Sequence, residues 1–526
     1  MRLFLKALSA FLATYAVLIL LHGPLLRLPY FWDEAGYYIP AALDFSRAWL
    51  LIPKTTLPVG HPPLVMVYLG LVWRLFGYSA WATRAAMTLI STATLGALYV
   101  LARRTSSREI ALWSALLLAL SPLFFAQSTL VHLDLTAALF TVLAVLFLLR
   151  EQAWRFALAA SLAVLSKETA VVLLPVVWLY AWRRGRGFAA ERRTSLAVWI
   201  PLVMPLVPLA AWSLYYHHST GYWTGNGGYL SYNLYSTLSP GRVFWSLLRR
   251  VYELFISGFN WLLTVGAVAG LYWGRKYGPR DTGHGIRDMG HGSRDTGGNQ
   301  TPSPVSARPW RPFIFLTAGL VAIYLLLLSL VGGAILPRYL LPVLPLFYLA
   351  AVAMVTRLPR FPARLILTAA AACFVGAWFI NPPYPFPLED NLAYADFIRL
   401  HQQAAHYLEI QPGQPRILTA WPGTDELAQP FLGYVRNPLR VVPVEGFAPQ
   451  EFADVPPESF DLLYLYSRRW EPPGNWVARF PGWLHMQGRY FDYHPQMDAP
   501  SIAARYHLHL LAEIERRGQW VRIYSH

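Results

Sequence analysis

Apolar runs of about the length needed to cross a bilayer recur through the first three quarters of this 526-residue chain, and they constrain its fold more than any other feature. They lie near residues 4–26, 85–101, 109–126, 135–149, 156–166, 169–182, 195–215, 257–273, 313–331, 339–356 and 365–380, which predicts about eleven spans. Composition agrees. Hydrophobic residues make up 55% and charged residues 14%, against roughly 25% charged in a soluble domain. The expected architecture is an α-helical polytopic membrane protein over 1–380, followed by a soluble α/β domain over 381–526. A cleaved signal peptide is a poor reading of the first run, because no small-residue cleavage site follows it and many more runs do. Cys373 is the single cysteine, so nothing depends on a disulfide.

The net charge of +16 is distributed as a topology signal. Arginines cluster in alternate loops, at 103, 104 and 108, at 150 and 155, at 183–193, at 275–294 with Lys276, and at 357–364. The positive-inside rule makes these loops cytoplasmic, which places the N-terminus inside and the C-terminal domain outside. The loop 274–311 contains the unit RDTGHGI-RDMGHGS-RDTGGNQ at 280–300, whose glycines and lack of apolar side chains predict a flexible cytoplasmic linker. Its His284 and His291 read as solvated. Spread over loops in this way, the charge does not form a nucleic-acid groove, and no nucleic-acid partner is expected. Membrane lipids are.

Charges left on the outer side are few and therefore informative. In the first outer loop (27–84), Tyr30-Phe31-Trp32 leads directly into Asp33-Glu34 and then Tyr37-Tyr38. Two adjacent carboxylates beside an aromatic belt repel each other and are partly desolvated, which raises one pKa and suits a general base for a hydroxyl. A water-solvated acidic loop is the alternative. Gly60-His61-Pro62-Pro63 then opens an amphipathic stretch ending at Trp73-Arg74. Asp134 follows Val131-His132-Leu133 between two apolar runs, and an ionisable group at that depth is a functional candidate. Lys167-Glu168 interrupts another run, as part of a site or as a self-compensating ion pair. Arg338-Tyr339 sits at the outer end of a span, where Arg338 suits a phosphate or snorkels to headgroups. In the C-terminal part, 416–422, 460–467 and a closing hairpin around Arg516-Arg517-Gly518 read as strands, and 391–409 as a helix.

Taken in order, the acidic pair, His-Pro-Pro, Ser121-Pro122 before Asp134, Ser166-Lys167-Glu168 and Arg338-Tyr339-Leu-Leu-Pro resemble the bacterial branch of the dolichyl-phosphate-mannose–protein mannosyltransferase superfamily, which includes the aminoarabinose transferases of lipid A. That resemblance implies a C-type glycosyltransferase fold in the bacterial inner membrane. It implies transfer of a sugar from a polyprenyl-phosphate donor to a protein, lipid or glycan acceptor outside the cytoplasm, with inversion. Asp33 becomes the catalytic base, with Glu34 and Asp134 as further catalytic acids. His61, Lys167, Glu168, Arg338 and Tyr339 become the donor-phosphate and substrate contacts. Two positions depart from the family pattern: His61 replaces a lysine, and Glu168 follows Lys167 where glycine is common. No cofactor is expected, and a divalent metal, although paired acids could hold one, is not favoured. A transporter or flippase is the competing class, but no internal symmetry between halves accompanies the intramembrane charges.

Overall fold

The computed structural model describes residues 2–185, 196–277, 310–452, 455–472, 479–491 and 499–526. The triple repeat at 280–300 and its histidines, and Arg186, Arg192 and Arg193 of the basic loop, lie outside these residues. Helices dominate as far as Ala377. Among the described residues five are long and apolar enough to cross a bilayer, and the bent pair Pro240–Phe255 and Ser257–Tyr277 makes a sixth if counted as one span. The count of eleven is therefore not reached by length. Other apolar helices are shorter, among them Leu64–Phe76, Leu133–Leu149, Ala153–Ser166 and Leu344–Val355. The run at 109–126 breaks where Arg108–Leu120 stops before Ser121-Pro122, because proline excludes the preceding residue from helical geometry.

The long helices differ in what they face. Arg2–Leu21 is almost wholly exposed, with Phe4, Leu12 and Leu20 on its surface, which is what a lipid-facing helix requires. Ala80–Thr105 runs through the middle of the helical part and buries several hydroxyls. Thr88, Thr92 and Thr94 each donate to the carbonyl four residues earlier, at 2.8–2.9 Å, so these polar side chains need no water.

The C-terminal part forms a five-stranded mixed sheet of β1 (Arg416–Ala420), β2 (Arg440–Val444), β3 (Leu462–Tyr466), β4 (His509–Arg516) and β5 (Gln519–Ser525), in the order β2-β1-β3-β5-β4. β1 is parallel to β2 and β3, whereas β5 runs antiparallel to β3 and β4. The expected hairpin joins β4 to β5 through Arg517 (φ 48°) and Gly518 (φ 80°), the paired positive φ values of a two-residue turn. Only β2 was not anticipated; Pro443 hides it, and a sheet edge is where a strand tolerates proline. Helix Ala393–Glu409 packs against β4 and β5.

This part also grips the loop that carries Asp33. Tyr434 donates its hydroxyl hydrogen bond to the Tyr30 carbonyl at 3.0 Å, and the Tyr30 amide donates to Leu432 O at 3.3 Å. The Trp421 indole packs on Trp32 (ring centroids 5.1 Å apart) and lies directly over Gly36. A Cβ at Gly36 would stand 2.9 Å from Trp421 Nε1, closer than real Cβ contacts come, so only glycine lets the indole sit there. Gly36→Ala is expected to displace Trp421 and loosen the contact between the two parts. The measurement is limited proteolysis together with tryptophan fluorescence; unchanged cleavage and emission would show that the contact does not matter.

Candidate active site

Five backbone breaks bring the polar side chains together. Asp33 begins the π-turn Glu34–Tyr38, and Asp134 lies in the first turn of Leu133–Leu149. Lys167 stands between Ala153–Ser166 and the 3-10 turn Glu168–Val172. Arg338 and Tyr339 occupy the 3-10 turn Pro337–Leu340, and Glu389 the 3-10 turn Leu388–Asp390. Helix ends and short turns leave backbone unpaired, so they recur where chemistry is placed within an otherwise apolar bundle.

Arg338 is the hub. It is buried, and its guanidinium donates to Asp33 Oδ2 through Nη2, and to Glu389 Oε2 (2.8 Å) and His132 Nε2 (2.6 Å) through Nη1. Arginine has no acceptor, so His132 must accept at Nε2 and carry its proton on Nδ1, which donates to Gln127 Oε1 at 2.6 Å. Arg338 Nε lies 3.9 Å from Asp134 Oδ2. Asp134 is held by Lys167 Nζ at 2.6 Å. Lys167 in turn sits 4.0 Å above the Tyr339 ring, with the guanidinium carbons of Arg338 and Arg250 at 5.5 and 5.4 Å from the same ring. Arg338 is thus not a snorkelling residue.

Asp33, Asp134, Lys167, Arg338 and Tyr339 therefore converge. Asp33 remains the most accessible of the charged four, at 21% side-chain exposure. Glu34 does not share the site, which corrects the expectation of a catalytic acid pair. Its side chain is fully buried and turned the other way, against Arg84, whose Nη1 and Nη2 donate to Oε1 and Oε2. The amides of Phe31 (2.8 Å) and Val131 (2.5 Å) use the remaining lone pairs. A carboxylate saturated by four donors has no lone pair left for an acceptor's proton.

His61 and Glu168 also leave the central cluster. The two positions that depart from the family pattern bond to each other, His61 Nδ1 to Glu168 Oε2 at 2.9 Å. The Lys167–Glu168 self-pair is thereby replaced by two separate pairs, Lys167 with Asp134 and Glu168 with His61. A neutral His61 that gives its Nδ1 proton to Glu168 offers only an acceptor at Nε2, so it can serve an anion only as the imidazolium. Its ring lies 6.5 Å from that of Tyr38, and both line a mainly apolar recess with Pro63, Met66, Trp212 and Tyr216.

Sequence reasoning missed three residues. His132 sat inside the quoted Val-His-Leu-Asp stretch but has no charge to mark it. Glu389 lies beyond the last apolar run, in what reads as the start of another domain. Arg250 belongs to Pro240–Phe255, where it reads as one more basic residue of an amphipathic helix. In the structure three arginines of that helix hold the strand of chain leading to Arg338: Arg242 binds the carbonyls of Gly332 and Gly333 (2.9 Å each), Arg249 that of Ile335 (3.3 Å), and Arg250 that of Leu336 (2.7 Å). Arg250 is wholly buried, pairs with Glu253 at 3.1 Å, and keeps Nε and Nη2 without a hydrogen-bond partner among the described residues. Unsatisfied guanidinium nitrogens in a buried setting are costly unless an anion comes to them.

Comparison with known proteins bears on the fold that carries these residues. Residues 60–212 match the family described as dolichyl-phosphate-mannose-protein mannosyltransferase. ArnT from Cupriavidus metallidurans bound to undecaprenyl phosphate superposes over 98% of this chain and 97% of its own, with a TM-score of 0.55 and 16% identity. The same protein in its apo state gives a TM-score of 0.56 at 15% identity over the same shares. No curated protein sequence matches. The resemblance read from the ordered motifs is borne out: this is a multi-pass membrane protein with the family's pattern over 60–212 and an ArnT-like fold over nearly its whole length.

Proposed function

We propose that the protein is a membrane glycosyltransferase that moves a sugar from a polyprenyl-phosphate donor to an extracytoplasmic hydroxyl, inverting the anomeric centre. The observation that carries this reading is the arrangement around Tyr339, where Lys167, Arg338 and Arg250 gather on one ring while Asp33 stands at the accessible edge of the same cluster. The ArnT-like fold, seen in a relative bound to undecaprenyl phosphate, supports the donor class.

In this reading the donor phosphate takes the place of Asp33 on Arg338, which frees the carboxylate. The acceptor hydroxyl then attacks the anomeric carbon from the face opposite the phosphate. A new carbon–oxygen bond forms, the sugar–phosphate bond breaks with its electron pair passing to the phosphate, and the acceptor proton goes to Asp33. Lys167, Arg338 and Arg250 stabilise the charge that grows on the leaving phosphate, in surroundings from which water is largely excluded. Asp134 keeps Lys167 in place, and His61, bonded to Glu168, borders the pocket for the sugar or lipid chain. The acceptor is a protein, lipid or glycan. The site and the C-terminal domain face outward from a bacterial inner membrane, with the N-terminus in the cytoplasm. Side-chain cations supply the electrophilic role, so neither a metal nor another cofactor is required.

The test uses the full chain in proteoliposomes with a radiolabelled polyprenyl-phosphate sugar and a membrane extract as acceptor. Release of polyprenyl phosphate with transfer of label, unchanged by EDTA, is the expected result. Movement of intact lipid-linked sugar between leaflets without bond cleavage would replace this reading with a flippase, and loss of turnover in EDTA would overturn the metal-free assignment.

A further inference from the structure

Glu389 is a buried acid with no role in the scheme above. It enters the cluster from the segment after the last long apolar helix, and its side chain is only 5% exposed. Its carbonyl accepts from Gln127 Nε2 at 3.1 Å, the same glutamine that orients His132, so its position is fixed from the backbone. Oε2 accepts from Arg338 Nη1 at 2.8 Å, and Oε1 has no hydrogen-bond partner among the described residues. Burial pushes this carboxyl up to about 7; Arg338 pulls it down, and Asp33, Asp134 and Glu34 push it up further. Its neighbour Asp390 is raised as well, by burial first and then by Glu389 and Glu253, against the opposing pull of Arg249 and Arg338.

The local charge explains why the proton matters. Glu34 is neutralised by Arg84 and Glu253 by the buried Arg250, while the further charge of Arg249 sits on a side chain 36% exposed and is screened by water. What remains around Arg338 is Asp33, Asp134 and Glu389 against Arg338 and Lys167, with His132 neutral by its hydrogen bonds. With Asp390 held protonated by its burial and all three of these acids ionised, the buried groups around Arg338 carry one excess negative charge, and Glu389 Oε1 is an acceptor oxygen without a donor among the described residues. The cluster is then a poor receptor for another anion. A single proton on Glu389 balances the charge and turns the orphaned oxygen into a donor.

We propose that Glu389 is a charge-setting residue of the donor site: the phosphate of the polyprenyl-linked sugar binds well only while Glu389 carries a proton, so that donor binding and proton uptake are coupled. The inference rests on the transferase reading, and Glu389 acts through Arg338 rather than on the sugar. A prenyl-phosphate sugar is a phosphodiester whose single charge does not change across neutral pH, so any titration of its affinity belongs to the protein.

The experiment compares wild-type protein with Glu389→Gln in proteoliposomes, measuring KM for the donor and kcat separately from about pH 6 to about pH 9. In the wild type, KM for the donor is expected to rise roughly tenfold per pH unit above about 7, because each unit of ionised Glu389 removes binding-competent sites in proportion. Glu389→Gln mimics the protonated acid, keeps the low-pH KM and flattens the rise. An equal slope in both proteins, or a flat KM in the wild type, overturns the proposal. A second measurement needs no variant: calorimetric binding of the donor by wild-type protein in two buffers of different ionisation enthalpy. About one proton is expected to be taken up per donor bound near pH 8.5 and almost none near pH 6. Absence of uptake near pH 8.5 with turnover intact rejects the Glu389 role alone, whereas absence of any sugar–phosphate cleavage at every pH rejects the transferase reading together with it.

Discussion

Replacing Asp33 with asparagine is expected to slow sugar transfer by about 10²–10⁴-fold while leaving the protein folded, the size of effect ordinary for removing a general base. Asparagine keeps the shape of the side chain and an oxygen that accepts from Arg338, so the hub loses little of its architecture. It cannot take the acceptor's proton. Asp33 is also the least buried of the charged four, and its substitution leaves no sealed, unpaired charge, because Arg338 still contacts Glu389 and His132. Initial rates with labelled donor, together with thermal unfolding in detergent, separate the two effects. Transfer at near wild-type rate would remove Asp33 from the mechanism.

The neighbouring residue is expected to behave in the opposite way. Glu34→Ala should destabilise the protein by about 3–5 kcal/mol, the range for breaking a buried ion pair by deleting one partner. Arg84 would be left charged and almost fully buried, and the amides of Phe31 and Val131 would lose their acceptor. Because those amides tie the loop that carries Asp33 to the chain just before His132, the loss should appear as a lower yield of monodisperse protein and a lower unfolding temperature. A well-folded Glu34→Ala protein with selectively lost transfer would return Glu34 to the catalytic set. The pair makes a sharp contrast, since two adjacent acids with the same chemistry are predicted to fail for different reasons.

Much of this was legible in the chain itself. Hydropathy marks the membrane class, and the scarcity of charges away from the arginine-rich loops singles out Asp33, Asp134, Lys167 and Arg338, which the fold does bring together. Ionisable groups are costly within an apolar bundle, so those present are few and meet one another. Partner choice was not legible. Beyond the resemblance that favours Asp33 as base, nothing in the sequence says that Glu34 turns to Arg84, or that Lys167 turns to Asp134 while Glu168 turns to His61, because adjacent residues on a turn point in different directions. Span count was legible only approximately, since hydropathy windows do not register the break at Ser121-Pro122 or the one between Ser166 and Leu173 that carries Lys167.

By itself, the sequence determined the membrane class, the strands of the closing hairpin and the short list of polar residues worth attention, all of which follow from local composition and period. Only the tertiary structure decided that Arg338 is the hub, that Arg250 and Glu389 join it from distant segments, and that Glu34 is spent on Arg84. The physical reason is that a charge's role depends on how many of its lone pairs or protons are already taken and how much water remains around it. Both quantities are set by contacts between residues as far apart as 33 and 338, which no local pattern records.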